Sequence, residues 1–195
     1  MPSIDRMIWT KFHVHNGDNV PYCGWEARRN LLAELFAELG YRRGAEIGVR
    51  TGEYSEVLCK ANPDLELLCI DPWTPYRLRS QEEQTANYIE TQRRLEPYKV
   101  TLIPRTSMDA LAGVPEESLD FVYIDGLHEF EPVMLDIIHW SKRVRRGGIV
   151  AGHDYMWTYK AGVVAAVDAY TRGMGIQSWY LTSRDREPSW LWVKR

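Results

Sequence analysis

The stretch Ala45-Glu46-Ile47-Gly48-Val49-Arg50-Thr51-Gly52-Glu53-Tyr54-Ser55 decides how the rest of the chain is read. A short apolar run carries Glu46, turns between two glycines and leads into a helical pattern. In an open α/β sheet a nucleotide-like ligand is held at such a turn. Glycine lets the backbone come close to the ligand, and the helix start offers unpaired N–H groups. A dinucleotide site needs glycine in the middle of G-x-G-x-x-G to admit the pyrophosphate. Arg50 stands there, which argues for a cofactor without phosphates. Asp71 lies nineteen positions after Gly52, where a carboxylate can accept hydrogen bonds from ribose hydroxyls.

Outward from the turn, strand and helix patterns alternate. Before it, Leu32, Leu35, Phe36 and Leu39 recur at helical spacing, and Gly40 ends the run. Residues 44–48 read as the first strand, and the helix after the turn runs to about Ala61. A buried strand over 65–70 closes on Asp71-Pro72-Trp73. Ser80 and Glu83 have capping-box spacing and open a helix to Leu95. Its thin apolar stripe predicts a helix on the surface or over a site. Strands follow over 99–104, 119–124 and 149–151. Val133, Ile137, Trp140 and Val144 mark the helix before the last of these, and Val163, Val164, Val167 and Tyr170 mark another after it. Two final strands, 176–182 and 190–194, are joined by so short a loop that they must pair antiparallel. The expected fold is α/β, a Rossmann-like doubly wound seven-stranded sheet. It is mostly parallel, with an antiparallel strand from the C-terminal hairpin at one edge.

Residues 1–25 fit no periodic pattern. Trp9, Phe12, Tyr22 and Trp25 stand among polar residues and breakers. We read this part as an N-terminal segment that packs across the domain or covers its site, and 26–195 as a single domain. His13 and His15 form an HxH pair, but no acid or cysteine nearby completes a ligand set, so a surface or packing role is expected.

Bulk composition bounds the function. Hydrophobic residues make up 45% and charged residues 26% of the 195-residue chain, as in an ordinary globular protein. A net charge of −3 gives no global basic field for nucleic acid or an anionic membrane. Cys23, Cys59 and Cys69 have no CxxC spacing and suggest no disulfide framework, so the reducing cytoplasm is expected. No apolar run reaches bilayer-spanning length, and no signal-peptide pattern opens the chain. A homo-oligomer is compatible with the sequence.

In a doubly wound sheet the ligand lies beyond the carboxyl ends of the strands. The informative residues are those just after each strand: 46–52, Asp71, 107–109, 125–128 and 153–155. Asp125, His128, His153 and Asp154 follow adjacent strands and form a second constellation. Carboxylate oxygens suit Mg²⁺, Mn²⁺ or Ca²⁺, and imidazole shifts the preference toward Mn²⁺, Fe²⁺ or Zn²⁺. A cation there could orient substrate oxygens and acidify a hydroxyl, and His128 could take the proton.

Four blocks together carry a family resemblance. They are the 46–55 turn, Ile70-Asp71-Pro72-Trp73, Val122-Tyr123-Ile124-Asp125-Gly126-Leu127-His128 and Gly147-Gly148-Ile149-Val150-Ala151-Gly152-His153-Asp154-Tyr155. They resemble class I S-adenosylmethionine-dependent methyltransferases over about residues 40–170. The nearest branch is the small methyltransferase-domain family often found beside sugar and antibiotic biosynthesis. The resemblance implies S-adenosylmethionine as cofactor, bound by Glu46, Gly48, Gly52 and Asp71. It places Ser107 and Met108 beside the adenine, with Asp125 at the same site. The Asp-x-x-His block also resembles metal-dependent macrolide-sugar O-methyltransferases. That likeness implies Asp125 and Asp154 as ligands of Mg²⁺ or Mn²⁺, with His128 as the base. His153 stands where those enzymes carry an acid; we count it as a third candidate ligand, and the metal stays open.

The expected activity is methylation of a small-molecule hydroxyl, on a sugar or a natural-product acceptor, with help from a divalent metal. The alternatives are a metal-independent methyltransferase acting on nitrogen or a macromolecule, and a non-catalytic adenosyl-binding module. Tyr76, Tyr155, Trp157 and Tyr159 are candidate walls of the acceptor pocket.

Overall fold

A computed structural model describes residues 3–14, 20–24, 26–157 and 161–195. His15, Trp25 and Tyr159 lie outside the described residues.

Five parallel strands form the body of the sheet: β2 (Arg43–Ile47), β3 (Glu66–Ile70), β4 (Val100–Ile103), β5 (Leu119–Ile124) and β6 (Val144–Gly152). The C-terminal hairpin supplies β7 (Trp179–Thr182) and β8 (Trp190–Val193), which pair antiparallel as the short connection requires. The sheet has eight strands, not the expected seven. The additional strand is β1 (Tyr22–Gly24), parallel to β7, and the order is β1-β7-β8-β6-β5-β2-β3-β4. The antiparallel strand β8 therefore lies inside the sheet, between β6 and β7, while β1 forms the edge. A three-residue edge strand held by its backbone carries no side-chain periodicity, which is why residues 22–24 read as irregular. The chain reverses its direction of winding at β2, which has β3 on one side and β5 on the other. Such a switch point opens a crevice at the carboxyl ends.

Helices cover both faces. On one lie α1 (Ile4–Lys11), α2 (Arg29–Glu38), α3 (Glu53–Ala61) and α4 (Gln81–Leu95). On the other lie α5 (Ser107–Ala110), α6 (Phe130–Arg143) and α7 (Gly162–Gly173). Strand alternation sorts the side chains between the two layers. Along β5, Phe121 and Tyr123 face the α1–α4 layer, and Val122 and Ile124 face the other. Helix α1 is capped by Ser3, whose Oγ accepts from the Arg6 N–H, and buries Ile8 and Phe12 completely. Ser80 caps α4 by accepting from the Glu83 N–H, as its spacing predicts. Among the described residues no helix is long and apolar enough to cross a membrane.

Alternation on β2 sends Ala45 and Ile47 to the α5–α7 layer and turns Glu46 the other way. Glu46 is 1% exposed, and its carboxylate accepts a hydrogen bond from Ser55 Oγ. Burial pushes its carboxyl up to about 8, against the lowering effect of Ser55. The unfolded chain ionises Glu46 from near 4.5, while the folded chain keeps the proton to about 8. In that window the folded state binds more protons, so rising pH favours unfolding. Glu46→Gln keeps the shape and the acceptor but cannot ionise. Melting curves across this range should fall less steeply with pH for the variant than for the native chain. Parallel curves would mean that Glu46 ionises normally in the fold.

Candidate active site

The loops after three strands lie side by side because the ladder hydrogen bonds continue past the strand ends. Gly48 N–H donates to Ile70 O at 2.8 Å, Asp125 N–H to Ile47 O at 2.7 Å, and His153 N–H to Ile124 O at 3.0 Å. The glycine turn and the Asp125 loop consequently touch through their backbones. Gly48 has φ +89°, and a Cβ there would lie 2.1 Å from Asp125 O. Glycine at 48 is thus required twice, by the left-handed backbone and by the neighbouring loop.

The turn itself is held from outside. Arg50, at φ +53°, donates its N–H to Asp71 Oδ2 at 2.9 Å. Its carbonyl accepts from Trp73 Nε1 at 2.8 Å and Thr91 Oγ1 at 2.9 Å. The Thr51 carbonyl accepts from Arg94 Nε at 3.0 Å. Helix α4 therefore lies over the turn and engages its carbonyls. Gly52 begins α3 with φ +74°, and no side chain caps the first turn. The N–H groups at the start of α3 remain available to a ligand.

The candidate cofactor residues fall in three environments. Asp71 is anchored by two backbone donors, the Arg50 N–H on Oδ2 and the Trp73 N–H on Oδ1, each at 2.9 Å. It shapes the turn, and each oxygen keeps a second lone pair for a hydroxyl. Glu46 lies beneath the turn, buried against Ser55. Ser107 donates to Asp136 Oδ1 on α6, whose carboxyl burial pushes up to about 6 and whose other oxygen lies close to Gly126. Met108 packs against the apolar layer of α5–α7.

The second constellation does converge. His128 Nε2 lies 3.0 Å from Asp154 Oδ2. His153 Nδ1 sits between two carboxylates, 3.7 Å from Asp125 Oδ1 and 3.5 Å from Asp154 Oδ1. Donor atoms of Asp125, His128 and Asp154 all lie within 4.8 Å of one another, the arrangement needed to share one cation. Asp154 occupies a left-handed conformation, φ +57°, which places its carboxylate at a backbone cost. Burial alone would raise Asp154, but hydrogen bonds from His128 and His153 outweigh it and hold the carboxyl well below the usual range. Burial pushes Asp125 up to about 6, with His153 countering and Asp154 adding to the rise. His128 is raised, chiefly by its hydrogen bond to Asp154. Beside these groups, Asp125, His128, His153, Val163 and Trp190 border a cavity of about 10 Å³, room for one water.

Sequence reasoning missed two groups that border the site. Arg29 opens α2 on the face that carries Leu32, Ala33 and Phe36, and its Nη1 lies 3.6 Å from Asp125 Oδ2. An arginine continuing a buried helical stripe is the signal that could have found it. Glu129, next to His128, pairs with Arg77 and accepts from Tyr76 Oη at 3.1 Å, which fastens residues 76–77 beside the crevice. Of the aromatic candidates, Trp157 is 81% exposed. Tyr155 instead turns inward, donating to Asp168 Oδ1 at 2.8 Å and packing edge-on against Trp179.

Comparisons with known proteins bear on the family and the fold. The sequence model of the family described as "Methyltransferase domain" matches residues 45–155, more than half of the chain. No curated protein matches the chain in sequence. Solved structures share the fold at low identity. The O-methyltransferase TomG from Streptomyces achromogenes, solved with S-adenosylmethionine, is 18% identical, with TM-score 0.62 over 100% of this chain and 91% of its own. A putative caffeoyl-CoA O-methyltransferase from Staphylococcus aureus is 15% identical, with TM-score 0.62 over 100% and 93%. The O-methyltransferase NovP is 20% identical, with TM-score 0.63 over 85% and 79%. The family match spans the glycine turn, Asp71, the Asp125 loop and Asp154, and with it the chain belongs to the methyltransferase-domain family of class I S-adenosylmethionine-dependent methyltransferases.

Proposed function

We propose that this enzyme methylates a hydroxyl of a small organic acceptor, with a divalent cation, Mg²⁺ or Mn²⁺, held by Asp125, His153 and Asp154. The observation that carries the reading is the convergence of the Asp125 and Asp154 carboxylates with the candidate base His128 within 4.8 Å, next to the cofactor turn. The fit of the cofactor rests on the open N–H groups at the start of α3, the spare lone pairs of Asp71 and the backbone contact that joins this turn to Asp125. S-adenosylmethionine supplies an activated methyl on sulfur, and a bound cation would acidify the acceptor hydroxyl. The chain's own residues must then align the acceptor oxygen and remove its proton. His128 is the candidate base: its Nε2–H donates to Asp154 Oδ2, so Nδ1 is the atom that would take the proton, and its ordinary pKa lies near neutrality. Tyr76, Leu127, Phe130 and Trp157 expose apolar surface in the loops around it and suit a small organic acceptor. TomG and NovP carry O-methyltransferase in their names, which favours oxygen over nitrogen.

A metal-independent reading has one observation of its own. Both imidazoles lie beside Asp154, and the Arg29 guanidinium faces Asp125 at 3.6 Å, so each carboxylate already has a protein neighbour.

Two experiments separate these readings. Exhaustive chelation should lower turnover on a hydroxyl acceptor at least about tenfold, with Mn²⁺ or Mg²⁺ restoring it. Full activity without metal would support the second reading. The base has a distinct signature, because it works only when deprotonated and its pKa is raised by Asp154. Turnover should climb with pH through a limb above 6.5. His128→Ala should lose that limb and about 10²–10⁴-fold in turnover, with cofactor affinity nearly intact. An unchanged pH profile in the variant would remove His128 from the proton transfer.

A further inference from the structure

We propose that Arg29 is the anchor for the α-carboxylate of the methyl donor, binding the amino-acid end of S-adenosylmethionine. The proposal rests on the reading of this chain as an S-adenosylmethionine enzyme and assigns a residue that neither the family match nor the sequence singled out.

Arg29 is built into place from three sides. Its backbone N–H donates to Asp185 Oδ2 at 2.6 Å, and its carbonyl accepts from Tyr54 Oη at 2.9 Å. Its guanidinium lies over the Tyr54 ring, 4.5 Å from the centroid. The side chain is 29% exposed, which is low for a group that stays charged at every accessible pH. Yet among the described residues no acceptor takes a hydrogen bond from this guanidinium. Its nearest carboxylate oxygen, Asp125 Oδ2, is 3.6 Å away, beyond hydrogen-bond distance. A largely buried guanidinium without hydrogen-bond partners is costly unless a ligand completes it. The planar fork of donors matches the two oxygens of a carboxylate.

The location selects which carboxylate. Tyr54 belongs to the first turn of α3, directly after the glycine turn, and Asp125 touches Gly48 through its backbone. Arg29 therefore stands on the Asp125 side of the turn, opposite Asp71, the candidate ribose partner. With the ribose at Asp71 and the reacting sulfur toward Asp125 and His128, the part of the cofactor left for Arg29 is its amino-acid end. Of the other acids on this side, Asp185 is taken by the Arg29 backbone N–H, and Glu46 keeps its proton to about pH 8.

The test is a cycle of two ligands and three proteins. S-adenosylhomocysteine and S-adenosyl-3-thiopropylamine differ only in the carboxylate. Isothermal titration calorimetry would measure both against the native protein, Arg29→Met and Arg29→Lys. Methionine keeps apolar contact with Tyr54 without charge, and lysine keeps charge without the fork. The native protein should prefer S-adenosylhomocysteine by about 10–100-fold. Arg29→Met should erase most of that preference and leave binding of the thiopropylamine nearly unchanged, with Arg29→Lys between the two. Equal loss for both ligands in the variants would show a structural role only, and no preference in the native protein would also overturn the assignment. If the native protein bound neither ligand, the cofactor reading itself would fall with the proposal.

Discussion

The backbone contact between Gly48 and Asp125 is the constraint on which the rest of the site depends. A Cβ at 48 would stand 2.1 Å from the Asp125 carbonyl oxygen, so no other residue lets the two loops meet with this geometry. The contact exists because β2 and β5 are neighbours at the switch point, and the Asp125 N–H reaches back to Ile47 O. It joins the turn that would hold the cofactor to the loop that carries Asp125 and His128. Shifting either loop moves the other, so positioning of the methyl donor and of the acceptor chemistry is one structural problem.

Around that contact, several polar groups serve the scaffold as well as the site. Asp71 fixes Arg50 and Trp73 before any ligand arrives, and α4 engages the carbonyls of Arg50 and Thr51. The turn is therefore preorganised, with its acceptors used and donors left over, as a hydroxyl-rich and carboxylate-bearing ligand requires. The Asp125–His128–His153–Asp154 cluster shows the opposite economy. Its carboxylates already have partners inside the cluster, with hydrogen bonds from both imidazoles holding Asp154 ionised while burial raises Asp125. A cation entering there would compete with these contacts, so metal affinity and proton affinity of the cluster are linked.

The fold was legible where side chains repeat. The glycine turn, the alternation of strands and helices, the capped α4 and the antiparallel hairpin all follow from periodicity or spacing. What escaped was held by backbone or by burial of a short segment. Residues 22–24 join the sheet through main-chain bonds, and Ile8 and Phe12 are buried from a helix too short to show a stripe. At the site, the acids and histidines after each strand were visible as clusters, since the fold rule places strand ends together. Their pairing was not, because His128 with Asp154 and His153 between two carboxylates depend on side-chain direction. Ser107 shows the same limit: its place after a strand marked it, while its hydrogen bond to Asp136 depends on side-chain direction. Arg29 was hidden for a different reason, since a single arginine at a helix start has no pattern of its own.

The most direct measurement is a crystal structure grown with S-adenosylhomocysteine and Mn²⁺, with anomalous diffraction recorded at the manganese edge. The account predicts the ribose at Asp71, the sulfur directed toward Asp125 and His128, and an anomalous peak between Asp125 and Asp154. A sulfur directed away from that cluster, or a manganese peak elsewhere beside bound S-adenosylhomocysteine, would contradict the claim that the glycine turn and the histidine–aspartate cluster form one active site.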